Sequence, residues 1–138
     1  MQYAVSLTRD TDHSYLVRCR DIPEALAVGY SVDEALDEAI NGIETAFMIY
    51  MDERRLIPMP SEAQEGEYLV RLPARTATKL QLYNEMVKQK ITKAELARRL
   101  NWKQTQVDRL WSLNHSTKLE SIEAAFHAIG RQLNIAIA

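Results

Sequence analysis

Gln2 to Thr8 alternates apolar Tyr3, Val5 and Leu7 with small or polar neighbours, the period of a half-buried strand. Arg9 to Ser14 is a polar, turn-like cluster, and Tyr15 to Arg20 reads as a second strand, so residues 2–20 predict a hairpin. Asp21-Ile22-Pro23 breaks the run, and Ala27 to Tyr30 fits a short third strand. Ser31 then opens a helix. Ser31 and Glu34 have capping-box spacing, and Leu36, Ala39, Ile40, Ile43, Phe47 and Tyr50 recur at helical intervals to about Met51. Pro58 and Pro60 end that region, and Tyr68 to Leu72 reads as a strand returning to the sheet. A strand, a long helix and another strand in one small sheet predict a parallel crossover.

From Pro73 the period becomes helical. Ala77, Leu80, Tyr83 and Val87 mark a helix over about 75–90. Thr92 and Glu95 form a second capping box before a short helix to Leu100, and Gln104 to Leu113 predicts a third helix. Thr117 and Glu120 suggest a further capping box, with Leu119, Ile122, Phe126 and Ile129 as its stripe and Gly130 as its stop. Leu133, Ile135 and Ile137 alternate to the end as a terminal strand. The expected fold class is α+β: a small N-terminal sheet with one long helix, residues 1–72, and an all-helical C-terminal domain with a terminal strand, residues 73–138.

Charge changes the picture more than composition does. The apolar fraction of 46% suffices for a core, and no run approaches the length of a membrane span. MQYAVSLTRD lacks a basic stretch followed by a long apolar run, so no secretory signal is expected. The single Cys19 cannot close an internal disulfide, which suits a cytoplasmic setting. His13, His115 and His127 are scattered, so neither a metal site nor a cofactor is expected. The net charge of −2 divides into −8 over residues 1–71 and +6 over residues 72–138. The basic half suits phosphate and the acidic half a basic partner.

In TKAELARRLNWKQTQVDRL, Thr92 to Leu110, two short helices flank a tight turn. Leu96, Leu100, Val107 and Leu110 supply inner contacts, and Ala97 is small where the helices cross. Asn101 stands where such turns want glycine, and asparagine tolerates the left-handed backbone. Lys103, Gln104, Thr105 and Arg109 remain outside. Over Thr92 to Ile129 the sequence resembles the Xre-type helix-turn-helix of phage-repressor-like proteins. That resemblance implies base contacts from Gln104, Thr105 and Arg109. Gln can pair bidentately with adenine and Arg with guanine. Lys93, Lys103 and Lys118 suit phosphates of double-stranded operator DNA. Trp111 reads as packing rather than base stacking. A plain helical bundle with a solvated basic face is the alternative.

One recognition helix buries little DNA, so a homodimer or higher homo-oligomer is expected, with Leu133, Ile135 and Ile137 pairing strand to strand across a two-fold axis. The competing expectation is that this strand packs on its own domain.

The N-terminal run SYLVRCRDIPEALAVGYSVDEALDEAINGIETAF, followed by LIPMPS, resembles the HicB family of antitoxins. The match lies in Tyr15 to Val17, Asp21-Ile22-Pro23, Gly29, Ser31 to Ala39 and Ile57 to Ser61. The resemblance implies a truncated RNase H-like N-terminal domain that blocks HicA, a small basic mRNA-cleaving toxin, and a chain that represses its own operon. Toxin-contacting residues are not identified; the hairpin and the acidic helix face are candidates. Two other readings stay open. A free-standing repressor would sense a small ligand through an apolar pocket. An RNase H-like nuclease would need carboxylates converging on metal ions. Asp10, Asp12 and Asp21 lie in turns, Asp33, Glu34, Asp37 and Glu38 on a helix face, and none lies mid-strand, so no catalytic residue and no enzymatic activity is expected.

Overall fold

The computed structural model describes residues 1–138, which fall into two compact units, 1–74 and 75–138. The first holds strands β1 (Gln2–Arg9), β2 (Tyr15–Cys19) and β3 (Leu26–Gly29), helix α1 (Val32–Asp52) and strand β4 (Tyr68–Arg71). The strands form one sheet in the order β3-β2-β1-β4, and every pairing is antiparallel. Leu7 faces Val17 and Tyr3 faces Val70; Tyr3 and Val5 are buried as the alternation predicts, but so is Ala4 between them, and Leu7 is only half-buried. The Tyr3 ring lies 5.7 Å from that of Phe47 on α1.

Ser31 caps α1, its hydroxyl accepting from the Glu34 N–H at 3.1 Å. The Glu34 carboxylate reaches back one residue further than a capping box does, to the Tyr30 N–H. The buried stripe is Ala35, Ala39, Ile43, Ala46, Phe47, Tyr50 and Met51, while Leu36 and Ile40 are only half-buried. Small residues set this rotation. A Cβ on Gly42 would stand 2.6 Å from the Leu26 carbonyl oxygen, and one on Gly29 would stand 2.4 Å from the Ala35 nitrogen. The helix lies too close to β3 for leucine to occupy the seam.

The parallel crossover is not formed, because β4 runs antiparallel to β1 at the far edge. Residues 53–67 contain neither helix nor strand. Fifteen extended residues reach roughly 50 Å, against about 31 Å for a helix of 21 residues. The chain can therefore run back along α1 and enter the sheet from the opposite end.

The helical region comprises α2 (Ala74–Gln89), α3 (Lys93–Leu100), α4 (Gln104–Trp111) and α5 (Leu119–Ala128). Leu80, Tyr83 and Met86 of α2, Leu96 of α3, Val107 and Leu110 of α4 and Ile122 of α5 are buried. Leu100 is half-buried. Gly130 takes φ 75° and closes α5.

Three expectations fail here. Thr117 does not cap α5: Lys118 holds that position without a side-chain bond, and the Thr117 hydroxyl is used on the end of α4 instead. Leu119 is consequently 47% exposed rather than part of the stripe. Residues 131–138 form no strand, and Ile135 and Ile137 stand 69% and 96% exposed. A strand needs a neighbour for its backbone N–H and C=O groups, and the single chain gives this segment none.

Candidate nucleic-acid interface

Thr92 caps α3, accepting from the Glu95 N–H at 3.1 Å. The Glu95 carboxylate turns outward to Arg98 and Arg99. Asn101 ends the helix at φ 56°, ψ 43°, the left-handed conformation expected of it, and the Trp102 N–H closes the turn on the Ala97 carbonyl at 2.9 Å. Lys103 then starts α4, its N–H donating to Gln106 Oε1 at 2.8 Å. Two eight-residue helices are thus joined by three residues whose backbone N–H groups all have partners.

Val107, Leu110 and Trp111 face inward from α4. Gln104, Thr105 and Arg109 are exposed on its outer side, as are Lys103 and Lys118 at the starts of α4 and α5. Gln104 donates to Asp108 Oδ1 at 3.3 Å. Lys93 is placed otherwise than a simple phosphate contact: half-buried, its ammonium lies 3.2 Å from Asp108 and 4.6 Å from the centre of the Trp111 ring. Trp111 is core, edge-on to Tyr83 at 4.8 Å with its N–H on Met86 Sδ at 3.4 Å.

Sequence reasoning missed Lys79. It is 0% exposed, and its ammonium donates to the carbonyls of Arg109 at 3.0 Å, Ser112 at 2.5 Å and His115 at 2.8 Å. Burial pushes the amine down to about 8. Loss of solvent, followed by the Lys79 charge, also lowers the His115 imidazole. The available signal was phase: Lys79 shares the helical interval of Thr76, Leu80 and Tyr83, all buried.

A family model of HicB-like antitoxins of bacterial toxin–antitoxin systems matches residues 2–81. The chain is also 42% identical over 137 residues to antitoxin HicB of Pseudomonas fluorescens (strain Pf0-1), covering 99% of this chain and 93% of that one. This chain belongs to the HicB antitoxin family. Antitoxin HicB of Escherichia coli (strain K12) is 36% identical over 98% of each chain. Antitoxin HicB 2 of Photorhabdus laumondii is 40% identical over 98% of this chain and 95% of its own.

The HicB motif fragments meet in space. The Asp21 carboxylate accepts from the Ser61 N–H and hydroxyl, both at 2.8 Å, so the turn after β2 holds the Pro-rich segment. Arg20 joins them, donating to Ser61 Oγ at 2.7 Å and to Glu67 at 2.9 Å, and its hydrogen bond holds the Glu67 carboxyl below its ordinary range. Asp21 is thus a structural tie, and no three His, Cys, Asp or Glu side chains are grouped to hold a metal ion. Asp33, Glu34, Asp37 and Glu38 are exposed on α1, giving this HicB-family chain an acidic helix face. No helix is long and apolar enough to cross a membrane.

Proposed function

We propose that this HicB-family antitoxin neutralises a small basic, HicA-like toxin through its acidic N-terminal unit and represses its own operon through α3 and α4, acting as a helix-turn-helix. The observation that carries the DNA reading is the left-handed turn at Asn101, which ends α3 and leads into an α4 whose outer side presents Gln104, Thr105 and Arg109. The net charge of +6 over residues 72–138 favours phosphate, and −8 over residues 1–71 favours a basic protein partner. Lys103 and Lys118 are the candidate phosphate contacts, and Lys93 serves chiefly to neutralise Asp108 beside the base-reading residues. The toxin would dock on the hairpin or the acidic face of α1. Homodimerisation through Leu133, Ile135 and Ile137 would bring two recognition helices to half-sites about one helical turn apart.

Fluorescence anisotropy on a duplex from upstream of the gene tests the DNA assignment. Gln104→Ala or Arg109→Ala costs about 1–3 kcal/mol per lost base contact with the fold intact. Unchanged affinity in both variants removes the assignment.

A further inference from the structure

A lysine is almost never fully buried without partners. Lys79 has three N–H donors and places them on three main-chain carbonyls, Arg109 at 3.0 Å, Ser112 at 2.5 Å and His115 at 2.8 Å. The first belongs to α4 and the others to the loop that follows it, where the last carbonyls of a helix lack internal partners and the dipole favours a cation. The Arg109 carbonyl also accepts from the Ser112 N–H and the Thr117 hydroxyl, each at 3.3 Å. The Thr117 hydroxyl is in turn 2.8 Å from His115 Nδ1.

We infer that Lys79 is a positioning residue for base recognition: its buried ammonium fixes the main chain of Arg109 and the 112–115 loop, and so sets the pose from which Arg109 meets a base. The inference rests on the DNA-binding reading above. Stability accounts for part of this design, since removing Lys79 takes a donor from three carbonyls, but it does not require that one of them belong to Arg109. Base reading does, since recognition geometry tolerates displacements of only about 0.5 Å. The residue held is the one whose side chain is assigned to guanine.

The test compares wild type, Lys79→Met, Lys79→Gln and Arg109→Ala as full chains, each first checked for folding by circular dichroism. Affinity is measured at one salt concentration for the upstream duplex and for a scrambled duplex, together with the salt slope on the scrambled one. A folded Lys79→Met should lose at least about fivefold in the ratio of the two affinities, the lower end for one lost base contact, with the salt slope unchanged. Lys79→Gln, which keeps part of the donor set, should fall between. A preference kept by folded Lys79→Met but lost in Arg109→Ala overturns this inference alone. Failure of both Lys79 variants to fold also overturns it, since Lys79 then serves stability only. A wild type without preference overturns the DNA reading and the inference with it.

Discussion

Asp21 and Ser61 lie 40 positions apart, yet one carboxylate and one hydroxyl join the turn after β2 to the Pro-rich segment. Asp21→Ala removes the acceptor of both Ser61 donors and a neighbour of Arg20 at 3.5 Å. It should lower unfolding free energy by about 1.5–3 kcal/mol at most, the range for a hydrogen bond to a charged group. Chemical denaturation of the full chain reads this directly, and an unchanged midpoint and slope would mean the tie contributes nothing. Residues whose partners are close in sequence were legible before the structure. Ser31 and Thr92 cap residues three positions on, and Asn101 takes its left-handed turn locally. Lys79 was not legible, because its partners lie 30 to 36 positions away and a lone lysine reads as an interruption of the apolar stripe. Thr117 has the spacing of a cap, but a stronger demand from the end of α4 takes its hydroxyl.

At the scale of elements, period identified the strands and helices, and small residues decided how they pack. The α1 stripe was read through Leu36 and Ile40, but Ala35 and Gly42 set the seam because backbone approaches backbone there. Strand direction was not legible on β4, since a connection of this length permits entry from either end. The tail of 131–138 shows the limit differently: its alternation is real, but no edge in the single chain answers it. Exposed alternating apolar residues with unpaired backbone suit pairing with a second copy. If the proposed dimer forms through this segment, truncation after Gly130 converts it to monomer in sedimentation experiments without loss of helix content. A truncated chain that remains dimeric places the dimer element elsewhere.

At the scale of the molecule, opposite charge is divided between two compact units, residues 1–74 and 75–138. Charge asymmetry is what suggests two partners, and the HicB resemblance carried over into the family match. What no pattern supplied was the toxin's contact surface, because an acidic helix face and a hairpin look alike whether or not a partner sits there. The proposed division of two partners between two units predicts that the activities separate. The most direct measurement is a paired titration of full-length wild type and Arg109→Ala, first with the basic toxin and then with the upstream DNA duplex. The prediction is unchanged toxin affinity in Arg109→Ala together with a loss of about 1–3 kcal/mol on DNA. Toxin and DNA binding that weaken together, or that both survive, would contradict the division of function between the two units.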